Sequence, residues 1–267
     1  MRVFVTGASS GIGEALAREY HRRFAGLQIG LVARRADELE RVAALLPGAV
    51  VHCFAVDVTD REAMGRAASH FVAAAGGPPD VVVANAGISA GTLTGEAQDA
   101  DVFKRIVDVN VTGVFDTFSP FVAAMRARGQ GTLVGIASIA GIRGLPGAGA
   151  YSASKAAAIA YLESLRVELR GSGVRVVTIA PGYIRTPMTA RNRYPMPFLT
   201  DADVFARRAV DAIARGRSFA VIPWPMRVVA LALRALPNRL FDALFARAPR
   251  KRRLAAEGSG DPDGTPR

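Results

Sequence analysis

Short apolar runs rich in β-branched residues alternate with longer amphipathic stretches along most of this chain. RVFVT precedes GEALAREYHRRF, QIGLVA precedes DELERVAALL, AVVHCFAV precedes DREAMGRAASHFVAAA, and DVVVA leads to a helical stretch near 101 to 127. The second half continues with GTLVGIA, a helix from about 151 to 171, VRVVTIA, a helix near 201 to 215, and SFAVIP. Apolar strands without polar alternation are covered on both faces, and helices between successive strands allow parallel pairing. The pattern predicts a single α/β domain, a doubly wound parallel sheet of about seven strands with helices on both faces. A chain of 267 residues, half of them apolar, can bury such a core. Asp37 and Asp60 mark helix starts, no repeat or interdomain linker is visible, and 255–267, rich in Gly, Pro and Asp, reads as a disordered tail.

The formal charge of +11 raises the question of nucleic acid or an anionic membrane. The arginines are scattered, part of the excess sits in RAPRKRR (247 to 253), and no zinc-finger, basic-zipper or RNA-binding motif accompanies it. The charge therefore implies general stickiness and no nucleic-acid partner. Lysine occurs only at 104, 155 and 251. The first apolar run starts too early for a secretory leader, so the expected location is cytoplasmic. Cys53, the one cysteine, lies in an apolar run and is expected to be a buried core thiol. No metal site is expected.

In a doubly wound sheet, ligands bind beyond the carboxyl ends of the strands. TGASSGIG, Thr6 to Gly13, follows the first strand and opens a helix. Gly7, Gly11 and Gly13 permit a tight turn and close backbone approach, and the helix start offers free N–H groups to a pyrophosphate. The pattern alone also fits a plain tight turn; its strand and helix context favours a dinucleotide. Where the second strand ends, a protein gripping the ribose diol of NAD would offer an acidic residue, but Arg34 and Arg35 stand there. They suit the 2′-phosphate of NADP through forked, charge-assisted bonds, the competing reading being arginines in solvent at the sheet edge.

YSASK places Tyr151 and Lys155 on one helix face, a phenol beside an ammonium. Ser138 ends the strand GTLVGIA, and Asn110 interrupts an apolar helix that it weakens unless its amide finds partners. Singly, each has an ordinary explanation: a strand-end cap, a core amide, an aromatic at a helix start.

Together with Asp57-Val58 after the third strand, Asn85 to Gly87 after the fourth and PGYIRT (181 to 186) after the sixth, these motifs resemble the short-chain dehydrogenase/reductase superfamily in its compact branch of about 250 residues. The resemblance runs from Arg2 to about Pro223 and implies a Rossmann-type fold. It implies that Tyr151 is the general acid in carbonyl reduction and the base in alcohol oxidation, and that Ser138 binds the substrate oxygen. Lys155 would bind the nicotinamide ribose and lower the phenol pKa, and Asn110 would hold a water in a proton relay. A free phenol titrates near ~10, so a cation favouring phenolate makes it usable near neutrality. On the cofactor side the resemblance implicates Gly7, Ser9, Ser10, Gly11, Ile12 and Gly13 in the glycine loop, with Arg34 and Arg35. It also places Asp57 and Val58 at the adenine, Asn85, Ala86 and Gly87 beneath the cofactor, and Pro181, Gly182, Ile184 and Thr186, with Tyr151 and Lys155, at the nicotinamide end. Several NADP-using relatives carry a basic residue where this chain has Ser10, so the phosphate would rely on Arg34 and Arg35.

MTARNRYPMPFLT, which follows PGYIRT, matches the family's substrate lid. Its Arg191 and Arg193 would attract an acidic or phosphorylated substrate and Tyr194, Met196 and Phe198 would line an apolar pocket; solvated arginines around anchoring apolar side chains is the competing reading. From 224 to 254 the chain reads as two short helices broken at Pro237, with Leu240, Phe241, Leu244 and Phe245 in one stripe. A homodimer or homotetramer contact ranks first for this extension, a peripheral membrane foot second, packing on the subunit's own core third.

The expected function is an NADP-dependent oxidoreductase, NAD being less favoured, acting on a small carbonyl or alcohol. The alternatives are a 3-ketoacyl-carrier-protein-type reductase and a nucleotide-binding redox sensor without turnover.

Overall fold

The computed structural model describes residues 1–190, 192, 194–248, 250, 251 and 253. The expected tail at 255–267 and the lid arginines 191 and 193 lie outside the described residues.

The strands are β1 (Arg2–Thr6), β2 (Gln28–Ala33), β3 (Val50–Ala55), β4 (Val81–Ala84), β5 (Gly131–Ile136), β6 (Val174–Pro181), β7 (Ile184–Arg185), β8 (Thr200–Asp201) and β9 (Phe219–Ile222). Seven of them form one parallel sheet in the order β3-β2-β1-β4-β5-β6-β9, while β7 and β8 pair separately. Val5 stands opposite Leu31 of β2 on one side and Val83 of β4 on the other. The order reverses between β1 and β4, the switch point at which such sheets open a crevice.

Nine of the helices are α1 (Gly11–Arg23), α2 (Ala36–Ala43), α3 (Arg61–Ala74), α4 (Ala100–Val107), α5 (Gly113–Arg128), α6 (Gly149–Glu168), α8 (Ala202–Ala214), α9 (Pro225–Ala235) and α10 (Asn238–Phe245), with a single turn, α7 (Pro187–Ala190), between α6 and α8. Alternate strand residues point to opposite faces, which produces two cores. Val3 and Val5 join Leu16 and Tyr20 of α1, Leu39 of α2 and Phe205 of α8. Phe4 faces the other way, among Phe71 of α3, Phe118 and Phe121 of α5 and Leu162 of α6. Truncating a fully buried phenylalanine such as Phe121 to alanine costs about 3–5 kcal/mol.

Asp60 starts α3 as expected, its carboxylate accepting from the Ala63 N–H at 2.9 Å. Asp37 falls one residue inside α2 rather than at its cap. Cys53 is exposed, contrary to the expected core thiol. The physical reason is position: β3 is an edge strand, and the continuous apolar run that marks burial on an inner strand does not bury both faces at the edge. The helix expected near 101 to 127 is interrupted by a π-helical turn, Asp108–Thr112, that carries Asn110.

The two C-terminal helices dock through Arg143, whose Nη1 donates to the carbonyls of Leu233 (2.8 Å) and Leu236 (2.6 Å) and whose Nη2 donates to Asn238 Oδ1 (2.9 Å). Its guanidinium also lies 4.2 Å from the Phe241 ring centre. Among the described residues, no helix is long and apolar enough to cross a membrane.

Candidate active site

The carboxyl ends of β1, β4, β5 and β6 open into one cleft of about 340 Å³. Of the residues singled out in the sequence, Gly7, Ser9, Ser10, Gly11, Ile12, Arg34, Arg35, Asp57, Val58, Asn85, Ala86, Gly87, Ser138, Tyr151, Lys155, Pro181, Gly182, Ile184 and Thr186 line it. Gly13 and Asn110 stand behind the lining.

The glycine loop is a close-packed cradle. Gly7 adopts φ +66°, and a Cβ there would stand 2.8 Å from Ala86 Cα. A Cβ on Gly13 would run into the Gly7 carbonyl. Both positions exclude side chains on backbone grounds. Thr6 Oγ1 accepts from the N–H groups of Asn85 (3.1 Å) and Ala86 (3.3 Å), and Asn85 Nδ2 donates to the carbonyls of Thr6 (2.9 Å) and Gly7 (3.1 Å). The β1 and β4 loops are thereby held as one unit. The N-cap residue of α1, Ser10, makes no side-chain capping bond, so the first N–H groups of the helix are not taken by their own cap. A pyrophosphate fits this arrangement.

At the β2 and β3 ends, Arg35 Nη2 donates to Ser9 Oγ (3.3 Å) and Arg41 Nη2 to the Ser9 carbonyl (3.3 Å). Arg34 is 64% exposed along its side chain and 3.9 Å from the Asp57 carboxylate. Burial pushes the Asp57 carboxyl up, but hydrogen bonds from the Thr59 N–H and hydroxyl and the Arg105 guanidinium, 2.5 Å away, hold it below the usual carboxylate range. Asp57, the acid facing Arg34, is thus already committed to other partners, while Glu38 lies 3.8 Å from Arg35 and 2.8 Å from Arg41.

At the opposite end, Ser138 Oγ accepts from the Ala140 N–H (3.1 Å), and its hydroxyl faces the Tyr151 phenol. Lys155 Nζ donates to the Ile136 carbonyl (2.8 Å) and lies 5.9 Å from the Tyr151 ring centre. Burial lowers Lys155 to about 8. Burial also raises the Tyr151 phenol, and the Ser138 hydroxyl offsets only part of this, so the net direction is upward where the sequence suggested a lowered phenol. The reason is the dry setting that brings the groups together: an ionised phenol loses more hydration there than one hydroxyl returns. Asn110, wholly buried, clamps the loop after Gly87: Oδ1 accepts from the Ile88 N–H (2.9 Å), and Nδ2 donates to the Ile88 carbonyl (3.0 Å) and Ser154 Oγ (2.9 Å).

On the lid, Thr189 Oγ1 donates to the Ile184 carbonyl (2.6 Å), fixing the turn over the cleft. The Tyr194 ring packs on Tyr183, 6.2 Å between centres, whereas Phe198 is 53% exposed with φ 57° and is not among the residues lining the cleft. Its backbone turns the ring outward.

Sequence reasoning missed Ile88, Val109, Ile136 and Thr189, all near the cleft with no motif to flag them. It also missed Lys251, whose Nζ lies 5.4 Å from the Tyr151 ring centre. The one available signal was the scarcity of lysine. Among the described residues no cluster of His, Cys, Asp and Glu suits a metal ion.

A sheet in this order with a glycine cradle at its switch point and a Ser, Tyr and Lys group at the next strand end defines a dinucleotide-dependent oxidoreductase. The family profile described as short chain dehydrogenase matches residues 1–196, and the chain belongs to this family. It is 42% identical to an uncharacterized oxidoreductase of Myxococcus xanthus over 245 residues, 91% of this chain and 95% of that protein. It is 36% identical to the cis-4-hydroxycyclohexanecarboxylate dehydrogenase of Sinomonas cyclohexanicum over 215 residues, 79% of this chain and 82% of that one. A crystal structure of a 3-oxoacyl-[acyl-carrier protein] reductase with bound NAD from Brucella melitensis superposes with a TM-score of 0.71 at 28% identity, covering 83% of this chain and 88% of that chain. The protein is an NAD(P)-dependent dehydrogenase or reductase.

Proposed function

We propose that the protein is an NADP-dependent oxidoreductase that interconverts a small carbonyl compound and its alcohol, with Tyr151 as general acid and base. The observation that carries this reading is the meeting of Ser138, Tyr151 and Lys155 in the same cleft as the Gly7–Gly13 cradle. A bound nicotinamide supplies or accepts the hydride. Tyr151 moves a proton to or from the substrate oxygen, and Ser138 orients that oxygen. Lys155 has ammonium donors beyond the one given to Ile136, suited to ribose hydroxyls. Asn110 fixes the loop beneath them and would hold the relay water.

NADP is favoured by Arg34 and Arg35, with Arg41 on the Ser9 carbonyl, and the acid that faces Arg34, Asp57, is tied to Arg105. Similarity to the Brucella reductase keeps a 3-ketoacyl carrier substrate as a second reading, and similarity to the cyclohexanecarboxylate dehydrogenase favours a free cyclic substrate. The exposed Trp224, Val228, Leu231, Leu240 and Leu244 on α9 and α10 suit a homo-oligomer contact first and a peripheral membrane contact second.

Fluorescence titration with NADPH and NADH, then a panel of free and carrier-linked ketones followed at the NADPH absorbance, tests the proposal. Tight NADPH binding with turnover of a free ketone is expected. Tight binding without turnover of any would replace it with the sensor reading.

A further inference from the structure

Residues 250, 251 and 253, which follow α10, lie along the Tyr151 end of the cleft. Arg253 forms a parallel bridge with Gly91, and its guanidinium grips Asp99 (2.9 Å), which is 2% exposed, and Glu96 (3.0 Å). Burial pushes the Asp99 carboxyl up, but the Leu93 N–H and Arg253 outweigh it and hold the group ionised. On the other side Arg250 packs against Gly147, whose positive φ of 71° and lack of a Cβ allow the approach. Both walls therefore hold the segment, and between those anchors stands Lys251.

Lys251 Nζ donates to Ser89 Oγ at 2.6 Å, one residue beyond the cleft-lining Ile88, and lies 5.4 Å from the Tyr151 ring centre. Among the described residues, no carboxylate pairs with it and Ser89 Oγ is its only hydrogen-bond partner. An ammonium has three donors, so two remain, and the Ser89 hydroxyl keeps its own proton to donate. Burial lowers Lys251 to about 8, as expected of a cation held from water with no counter-charge of its own. The ion pairs of Arg253 hold it there in spite of that cost.

Resting on the oxidoreductase reading, we propose that Lys251 and Ser89 form a carboxylate subsite, so that the substrate class is a keto acid or hydroxy acid whose carboxylate lies away from the reacting carbon. One ammonium beside one hydroxyl matches the two oxygens of a carboxylate; a phosphate would call for more donors. Only three of the chain's 34 basic residues are lysines, and two of these, Lys155 and Lys251, carry their ammonium beside the Tyr151 ring. A compact point charge leaves the hydroxyl to take the second carboxylate oxygen, whereas a guanidinium fork would span both oxygens by itself.

The test compares 4-oxocyclohexanecarboxylate and longer keto acids with their methyl esters, using the full-length protein and its Lys251→Met and Lys251→Arg variants. Unreactive cyclohexanecarboxylate is titrated calorimetrically in parallel, with and without NADP⁺. The acid-to-ester ratio of kcat/KM is expected to favour acids, to fall about tenfold or more in Lys251→Met, the scale of a charge-assisted hydrogen bond, and to recover partly in Lys251→Arg. Equal use of acids and esters by the unaltered protein, or an unchanged ratio in Lys251→Met, overturns the subsite. A Lys251→Met variant that turns over acids and esters faster to the same degree also overturns it, making the segment a plug. If no carbonyl is turned over, the oxidoreductase reading fails separately. The calorimetry then decides: a carboxylate affinity lost with Lys251 supports the subsite, and one indifferent to it does not.

Discussion

The Lys155 ammonium donates to the Ile136 carbonyl across 2.8 Å, tying the second turn of α6 to the carboxyl end of β5. Ser138 ends the same strand two residues on, and Tyr151 sits one turn earlier on the same helix. One buried hydrogen bond thus joins the two elements whose side chains must meet, and the Tyr151 to Ser138 contact follows from it.

Tyr151→Phe removes the proton donor and little else. Turnover is expected to fall by about 10²–10⁴-fold, the usual worth of a general acid or base, while NADPH affinity stays within twofold of the parent. Steady-state kinetics and a fluorescence titration on one preparation read both; activity within tenfold of the parent would falsify the assignment.

Arg34→Ala is expected to weaken NADPH binding about tenfold more than NADH binding, because only NADPH offers the 2′-phosphate to the guanidinium. Arg34 has one distant ion pair, so the loss reports the ligand rather than the fold. Equal losses for the two nucleotides would mean that Arg34 does not read the phosphate.

Asn110→Ala strips three hydrogen bonds and leaves the Ile88 N–H and carbonyl without their partner. A destabilisation of about 1–3 kcal/mol is expected by urea unfolding, with weaker cofactor binding because the loop after Gly87 loses its clamp. A variant as stable as the parent would show that the loop finds other partners.

Lys155 titrates near 8 in the folded chain and near ~10.4 once unfolded. Between those values the unfolded state binds more protons, so the contribution of Lys155 to stability rises with pH through that window. Lys155→Met removes this dependence. Its stability advantage over the parent should be largest below pH 8 and shrink toward pH 10, and urea midpoints at four pH values would show it. An advantage that is flat or grows with pH contradicts the buried, depressed lysine.

Periodicity alone determined the sheet, the helices on both faces and the loops that carry ligands. The apolar runs of the inner strands leave no solvated face, and the glycine loop marks a close approach of neighbouring backbone. The motifs also marked most residues of the cleft, since most of them lie just after a strand and strand ends converge in this topology. Tertiary structure alone decided what depends on neighbours distant in sequence. Edge position exposed Cys53, a π-helical turn aimed Asn110 at Ile88 and Ser154, and burial raised the Tyr151 phenol that the local pattern suggested was lowered. The basic segment around 250, read as part of a general charge excess, sends Arg253 to Asp99 and Glu96 and brings Lys251 to the phenol ring. Nothing local marks that path, because an ion pair spanning 154 residues is set by how the chain packs and not by any pattern along it.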